Sequence, residues 1–205
     1  MSRYRGPAVR KSRRFGAVLF ANGQSKQNAF NKRKYPPGVH GRNANRKLSE
    51  FGKQLQEKQK ARFMFGLTEK QFSRYYEKAT RKTGESGLNL LKLLEQRLDN
   101  AIFRAGFATT RNQARQISSH GLVTVNGRRI NVPSMHLKAG DLVEVRSRVQ
   151  GSKLFEEVKQ AKKSTAPKWI NADYGKLKFE VIAEPDRDDV EHLIDIQLII
   201  EYYSK

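Results

Sequence analysis

Six arginines between positions 97 and 129 have the side-chain chemistry and the spacing that phosphate binding requires. They are Arg97, Arg104, Arg111, Arg115, Arg128 and Arg129. On a helix, residues two turns apart or four positions apart lie on one face, and the first two pairs have this spacing. A guanidinium stays charged, and its planar fork donates hydrogen bonds to two phosphate oxygens at once. The pattern therefore predicts a surface that binds a polyanion through its phosphates.

Two helices are expected to carry the first four of these arginines. Apolar residues recur at helical spacing over 89–105, namely Leu91, Leu94, Leu98 and Ile102. The run from Thr110 to Gln113 has the form of a capping box, which opens a second helix that Gly121 ends. On that helix Arg111 and Arg115 stand together on one face.

A small sheet is expected to follow the second helix. Residues 122–125 have the composition of a strand, and Asn126-Gly127 supplies the two positive-φ residues of a tight hairpin turn. The return strand carries Arg128 and Arg129, and residues 142–145 form a third strand. The sequence therefore predicts two helices on a small twisted sheet, with the arginines on its surface.

The charge of the whole chain points to the same class of partner. The chain has 41 Lys+Arg and 20 Asp+Glu, a net charge of +21. Residues 1–49 contain 13 basic residues and no acid, whereas residues 149–205 contain 9 basic and 11 acidic residues. A surplus this large repels itself unless an anionic partner neutralises it. No apolar run approaches the roughly 20 residues that span a bilayer, so nucleic acid is expected rather than a membrane.

The rest of the chain completes an α+β fold with a mostly helical N-terminal domain. Residues 1–45 contain scattered Gly and Pro and no sustained period, which predicts an irregular basic arm. Residues 46–90 are expected to form a helical domain, with one helix ending near Gly66 and another opening at the capping box of Thr68. The C-terminal segment 160–205 is expected to complete that domain. The two-helix and twisted-sheet module is assigned to 91–157.

The absence of cysteine excludes several kinds of chemistry at once. The chain contains no Cys and four His. Disulfides, thiol catalysis and cysteine-ligated zinc are therefore excluded, and the histidines lack the spacing of metal ligands. We expect neither a metal nor any other cofactor.

The predicted module resembles a known RNA-binding module. The resemblance is carried by Arg97-Leu98-Asp99-Asn100, Gly106-Phe107-Ala108, Thr110-Arg111-Asn112-Gln113-Ala114-Arg115-Gln116, His120-Gly121, Val125-Asn126-Gly127 and Gly140-Asp141. Such modules occur in ribosomal protein four of the small subunit, in RNA-modifying enzymes and in a tRNA synthetase appendage. The module alone implies RNA binding and leaves its host open.

Motifs outside the module resemble the bacterial-type ribosomal protein four of the small subunit. They include Arg3-Tyr4-Arg5-Gly6-Pro7, Pro37-Gly38-Val39-His40-Gly41, Leu48-Ser49-Glu50-Phe51-Gly52, Gln71-Phe72-Ser73-Arg74-Tyr75-Tyr76 and Pro167-Lys168-Trp169. This resemblance implies a non-enzymatic protein that binds 16S rRNA directly and early, nucleating assembly of the body of the 30S subunit. It further implies contact with small-subunit protein five, a contribution to translational accuracy, and cations near the channel by which mRNA enters.

Sixteen residues are the candidate RNA contacts. They are Arg3, Arg5, Arg13, Arg14, Arg42, Arg46, Lys47, Lys58, Arg62, Arg97, Arg104, Arg111, Arg115, His120, Arg128 and Arg129. We expect no membrane partner and no homo-oligomer. The expected location is the ribosome of the cytoplasm, with an organellar stroma or matrix as the alternative.

One departure from the resembled family concerns its N-terminal arm. Some members carry a zinc-binding cysteine cluster there, whereas this chain has Asn22, Ser25 and Asn28 in that neighbourhood. RNA rather than zinc is therefore expected to order the arm.

Two other function classes remain open on the sequence. Arg97-Leu98-Asp99 also resembles the motif of pseudouridine synthases, in which the aspartate is the nucleophile. No segment outside the module is long enough for a catalytic domain, so an ion pair or a helix contact is the ordinary explanation. The other class is a free RNA-binding regulator or stress factor that recycles stalled subunits, although such chains are usually shorter and lack the basic arm.

Overall fold

The structure is a computed structural model, and it describes Tyr4 and residues 6–20, 23–43, 47–160, 166–189 and 193–204. The chain divides into two compact units. The first comprises Met1–Leu90 with Glu191–Lys205, and the second comprises Leu91–Val190. In the described residues the α-helices are α1 (Ala8–Phe15), α2 (Gly23–Lys32), α3 (Glu50–Met64), α4 (Glu69–Thr80), α5 (Ser86–Glu95), α6 (Leu98–Arg104), α7 (Arg111–Ser119), α8 (Lys153–Gln160) and α9 (Ile196–Tyr203).

The basic arm contains helices that the sequence did not predict. Residues 1–45 were expected to be irregular, but they include α1 and α2. In α1 the side chains of Ser12 and Phe15 are buried, and the Ser12 hydroxyl accepts a hydrogen bond from the Leu19 amide at 3.3 Å. Gly16 then ends the helix at φ +65°. An eight-residue helix with two buried positions is too short to produce a sustained period.

Side-chain caps open the two longer helices of the first unit. The Ser49 hydroxyl accepts from the Gly52 amide at 3.2 Å at the start of α3. At the start of α4 the Thr68 hydroxyl accepts from the Gln71 amide at 3.3 Å, and the Gln71 side chain accepts from the Thr68 amide at 3.2 Å. This reciprocal pair confirms the predicted capping box.

The C-terminal helix belongs to the first unit. The side-chain amide of Gln54 on α3 donates to Glu201 on α9 at 3.0 Å. The backbone amide of Asp195, which caps α9, donates to Glu57 at 3.1 Å. These bonds attach α9 to α3, so the end of the chain packs with the helical domain.

The preceding segment, which was expected in the helical domain as part of 160–205, belongs to the second unit instead. In the second unit, β1 (Val123–Val125), β2 (Arg128–Ile130), β3 (Leu142–Val145), β4 (Ile170–Asp173) and β5 (Lys178–Val181) form one sheet in the order β2-β1-β3-β5-β4. Each neighbouring pair is antiparallel, and Val143 of β3 lies opposite Phe179 of β5. The alternating buried residues Phe179 and Val181 draw this hairpin into the core of the second unit.

The predicted helix over 89–105 is two helices. α5 ends at Glu95, and Arg97 caps α6 in an extended conformation while it forms a β-bridge with His136. The Leu98 amide donates to the carbonyl of Met135 at 2.8 Å. This pairing with a distant segment interrupts the helix, while the periodic residues Leu94, Leu98 and Ile102 on either side of the break are all buried.

The local signals around α7 are reproduced with one change. The Thr110 hydroxyl accepts from the Gln113 amide at 3.1 Å, as predicted, but the Gln113 side chain accepts from the Thr109 amide instead of closing the box at Thr110. Asn126 and Gly127 have φ of 49° and 77°, as the predicted hairpin turn requires. Across the described ranges, no helix is both long and apolar enough to cross a membrane.

Candidate nucleic-acid interface

Arg97, one of the six predicted phosphate ligands, is buried in an ion pair. It is 1% exposed, its Nε donates to Asp99 Oδ1 at 3.0 Å, and its Nη2 donates to Asp99 Oδ2 at 2.7 Å. Arg115 joins the same carboxylate, since its Nη1 donates to Asp99 Oδ2 at 3.4 Å. Because it is buried, the Arg97 guanidinium stabilises the fold instead of binding RNA, which corrects its assignment.

Arg104 is likewise bound to an acid, so its guanidinium serves the fold, and its assignment as a phosphate ligand stays a prediction. Its Nε and Nη2 each donate to the carboxylate of Glu95 at 2.8 Å, and the Glu95 side chain is fully buried. The same carboxylate accepts from Asn100 Nδ2 at 2.7 Å, and Asn100 Oδ1 accepts from Arg111 Nε at 2.9 Å. A buried polar network of this kind fixes the positions of its members.

Arg111 and Arg115 lie at the edge of this network, on one face of α7 as predicted. Both are half-buried. The Arg111 guanidinium lies 4.5 Å from the centre of the Phe103 ring, a cation–π distance. Their guanidiniums are thus held in fixed positions near the surface, and a phosphate could reach them without reordering the side chains.

The end of α7 and the hairpin carry exposed cations. His120, Arg128 and Arg129 are all exposed, as a phosphate-binding role requires. Arg129 Nη2 donates to the carbonyl of His120 at 3.4 Å. Arg146, which the sequence did not single out, joins them because its Nη1 donates to the carbonyl of Gly121 at 3.3 Å.

In the first unit, Lys58 is another predicted RNA contact that the fold uses internally. It is 3% exposed, and its Nζ donates to Glu69 Oε1 at 2.7 Å. Its ammonium also lies 4.4 Å from the centre of the Tyr202 ring. The hydroxyl of Tyr203 donates to the same Glu69 oxygen at 3.1 Å, so Lys58 ties α3 to both α4 and α9. Its assignment as an RNA contact is corrected.

A basic groove beside α1 is the main cationic site of the first unit. This α1 groove has a volume of about 530 Å³. Its lining includes Lys11, Arg14, Phe15, Leu55, Arg62 and Phe63. An adjoining depression of about 650 Å³ is lined by Tyr4, Arg10, Lys11, Arg14, Pro36 and Pro37. Cations therefore surround an apolar floor.

Lys11 lies close to three other cations of this region, Arg10, Arg14 and Arg62. Partial burial lowers the pKa of its ammonium, and the nearby charges of Arg14, Arg62 and Arg10 lower the pKa further. A lowered lysine pKa means that the local field opposes positive charge. An anion bound here would relieve that repulsion, which makes the groove suitable for a phosphate.

The remaining predicted contacts divide into three groups. Arg13 is half-buried, and it donates from Nε to the Tyr35 carbonyl at 3.0 Å and so helps to hold α1 to the following loop. Arg42 and Lys47 are exposed, and a hydrogen bond from Arg42 lowers the pKa of the Tyr35 hydroxyl. The last group lies outside the described residues and consists of Arg3, Arg5 and Arg46.

Three exposed or half-buried cations were missed by the sequence interpretation, namely Arg10, Lys11 and Arg146. Arg10 and Lys11 precede Arg13 and Arg14 in a basic run that is visible in the sequence. Their position on one short helix was not visible, because no helix was expected there. Arg146 had no sequence signal, since the end of β3 meets the end of α7 only in the folded unit.

The cysteine cluster of zinc-binding family members has no counterpart in this chain. The family that the sequence resembles includes zinc-binding members, but this chain has no cysteine to act as a ligand. Among the residues that the structure describes, no group of three or more histidines and carboxylates could hold a metal ion.

Two family models match the chain in succession. Residues 3–95 match the Ribosomal protein S4/S9 N-terminal domain. Residues 96–143 match the S4 domain. The second match covers α6, α7 and the first hairpin, on which Arg128 and Arg129 lie.

Curated relatives are similar to this chain from end to end. The proteins called Small ribosomal subunit protein uS4 from Solidesulfovibrio magneticus and Mycobacterium ulcerans are each 48% identical to it, over 210 and 206 residues. The protein of the same name from Syntrophomonas wolfei is 45% identical over 209 residues. In all three cases the alignment covers 100% of both chains.

Proposed function

The chain belongs to the small ribosomal subunit protein uS4 family, and from this premise we propose how its cations hold ribosomal RNA. Family membership confirms the resemblance noted in the sequence. It makes the chain a structural, non-enzymatic constituent of the small ribosomal subunit that binds rRNA. The residues that make the contacts, and the further partners, are our proposals.

The observation that carries the proposal is the division of the cations into two sets. Arg97, Arg104 and Lys58 are neutralised by buried or partly buried carboxylates. A second set lies at or near the surface, in the α1 groove and its adjoining depression, at the end of α7 and on the hairpin of β1 and β2. Its members are Arg10, Lys11, Arg14, His120, Arg128, Arg129 and Arg146. We propose that the first set builds a rigid frame and that the second set binds the RNA.

Binding is expected to depend on phosphates and shape. Double-helical RNA has a deep, narrow major groove, so side chains read little of its base sequence. Contacts to phosphates fix register and orientation instead. A guanidinium that is already held in place loses little conformational freedom when it binds a phosphate. Arg111 is an example, because Asn100 and Phe103 hold its side chain. Many such contacts, each modest, add up to strong and salt-sensitive binding.

We propose that the target is 16S rRNA at a junction of several helices, bound early in assembly. At such a junction several phosphate backbones approach one another, and their repulsion opposes closure. Cations on both units would neutralise several backbones at once and so favour the folded junction. This role accounts for the net charge of +21 on a chain of 205 residues.

The alternative interpretation of Arg97-Leu98-Asp99 as a catalytic motif is not supported by the geometry of Asp99. Its side chain is 7% exposed, and both of its oxygens accept hydrogen bonds from arginine. A nucleophilic carboxylate must reach its substrate, whereas this one is covered and paired. The ion pair between Arg97 and Asp99 explains the Arg97-Leu98-Asp99 motif without a catalytic role.

Two further partners are proposed with support from exposed surface. Leu48 lies shortly before α3, and Phe51 lies in the first turn of this helix. The two residues are 47% and 51% exposed, respectively. We propose that this apolar surface contacts small-subunit protein five and so contributes to translational accuracy.

The cations Arg42 and Lys47 are exposed and could bind mRNA where it enters. The acidic C-terminal segment, with Glu184 and Asp186 exposed, would suit a basic protein neighbour.

Co-sedimentation tests the assignment against a free RNA-binding regulator. The full chain, tagged and expressed in bacterial cells, should travel with 30S particles and remain on them after a wash at near-physiological ionic strength. A free regulator would be released by the wash and recovered in the supernatant. Recovery of this chain only in the supernatant would therefore overturn the proposal.

A further inference from the structure

The C-terminal end of α7 holds two guanidiniums on neighbouring backbone carbonyls. Arg129 of β2 donates to the carbonyl of His120 at 3.4 Å, and Arg146, directly after β3, donates to the carbonyl of Gly121 at 3.3 Å. The last carbonyls of a helix have no partners within it and carry the negative end of its dipole. This helix end therefore brings together two cations that come from different strands.

Gly121 leaves the space that Arg129 occupies. A Cβ atom at this position would lie 2.6 Å from Arg129 Nε and 3.1 Å from its Nη2. The backbone there also has φ +62°, which favours glycine. Any other residue would displace the guanidinium from the helix end. The displaced atoms belong to a flexible, exposed side chain, so the fold itself can tolerate the change.

Most donors of the two guanidiniums remain available. A guanidinium has five N–H donors, and each of these two uses one on a carbonyl. No carboxylate of the described part of the chain lies within ion-pair distance of either side chain, in contrast to Arg97 and Arg104. The side chain of His120 is also exposed and carries an N–H donor of its own.

We propose that Arg129 and Arg146 form a phosphate clamp for the ribosomal RNA backbone at the end of α7, in a space that Gly121 keeps open. The inference rests on the proposed function, because it names residues that hold the same RNA. Two forks held on neighbouring carbonyls keep several N–H donors available, which suits phosphate oxygens better than the edge of a single base. Arg146 thereby gains a role in RNA binding.

The test measures binding of the full chain to 16S rRNA over a range of salt concentrations. R146A should weaken binding several-fold and reduce the slope of log K against log salt by about one. R146K should also weaken binding, because a lysine keeps the charge but lacks the fork. G121A should weaken binding several-fold without changing any charge, because its Cβ displaces Arg129.

Two control variants match these changes. Gly66 has the same φ of +62°, and a Cβ added there would meet nothing within 4 Å, so G66A imposes the same backbone strain and displaces no arginine. K138A removes one exposed positive charge at the turn before β3, at the opposite end of that strand from Arg146. Both controls should retain nearly wild-type affinity. Thermal unfolding checks that each variant is folded. If G121A is unfolded, the rRNA affinity of R146K compared with that of the wild type still tests the clamp.

The outcomes separate the clamp from the proposed function. If the wild type binds rRNA, and R146A and R146K bind with unchanged affinity and salt slope, the clamp is refuted and the proposed function stands. Equal losses in G121A and G66A would show backbone strain alone and would refute the part assigned to Gly121. If the wild type itself does not bind rRNA, the proposed function fails and the clamp with it.

Discussion

Arg97 and Asp99 form a buried pair in which Nε donates to Oδ1 at 3.0 Å and Nη2 donates to Oδ2 at 2.7 Å. Residues two apart do not face each other within a helix. Here they meet because Arg97 caps α6 from outside while Asp99 lies in its first turn. Because of the break between α5 and α6, Arg97 is paired inside the protein and belongs to the set of cations that we propose as a rigid frame.

D99A is expected to destabilise the protein strongly. Removing the carboxylate would leave the buried Arg97 charge without its partner, which costs about 3–5 kcal/mol in the free energy of unfolding. Urea denaturation measures this change. K53A, which breaks the exposed pair of Lys53 with Glu50, is the control and should cost no more than about 1 kcal/mol. Equal costs for the two variants would contradict the assignment of Arg97 to the frame.

R14A and K58M should separate RNA binding from folding. Arg14 is exposed beside the α1 groove, so R14A should lower rRNA affinity and reduce the salt slope by about one, with little effect on urea unfolding. Lys58 is buried on Glu69, so K58M should lower the free energy of unfolding by roughly 1.5–3 kcal/mol and leave the salt slope unchanged. A reduced salt slope in K58M would restore Lys58 as an RNA contact.

The lowered pKa of Lys11 predicts that RNA binding takes up a proton at alkaline pH. A bound phosphate stabilises the ammonium and raises its pKa, so affinity should fall as the pH rises through the lowered pKa of the free protein. Binding measured as the pH is raised towards the ordinary lysine pKa of 10.5 should show this fall in the wild type. K11R should show a smaller fall, because arginine stays protonated. The same fall in both proteins would place the titrating group elsewhere.

Y203F should destabilise the first unit more than Y202F. The Tyr203 hydroxyl donates to Glu69, and burial together with Glu69 raises the pKa of that hydroxyl. Loss of a hydrogen bond to a charged group costs about 1.5–3 kcal/mol in the free energy of unfolding. Because the folded pKa is raised, the contribution of this hydroxyl is present below the unfolded value of about 10 and is lost at higher pH.

The neighbouring residue provides the control for that measurement. Tyr202 packs on Phe51 and under Lys58, and its hydroxyl makes no hydrogen bond among the described residues. Y202F should therefore unfold at nearly the same urea concentration as the wild type. If Y202F were as destabilised as Y203F, the effect would come from loss of ring polarity and not from the bond to Glu69.

Local signals in the sequence predicted local structure well. The capping box at Thr68 and the hairpin turn at Asn126 depend only on neighbouring residues, and both are present. The hairpin of β4 and β5 was assigned to the wrong unit, because its pairing with β3 joins segments that are distant in sequence. In β5 the buried Phe179 and Val181 alternate with Lys178 and Glu180, which is the period of a strand with one buried face.

The residue types in the sequence predicted the candidate site, but they could not show which of its arginines are paired with an acid inside the fold. Arginine spacing identified Arg111, Arg128 and Arg129, which lie at or near the surface. It could not distinguish them from Arg104, because the burial of Glu95 depends on how α5 and α6 pack. A charged residue in a sequence has no visible partner until the fold brings distant segments together.

The salt dependence of binding tests the central claim most directly. If cations on a rigid frame hold the RNA through about 6–10 phosphate contacts, the affinity of the full chain for 16S rRNA should fall by roughly 10³–10⁵ between about 50 and about 200 mM salt. Filter binding over that range gives the slope. A nearly flat titration would contradict the account, because binding would then owe little to the exposed arginines and lysines.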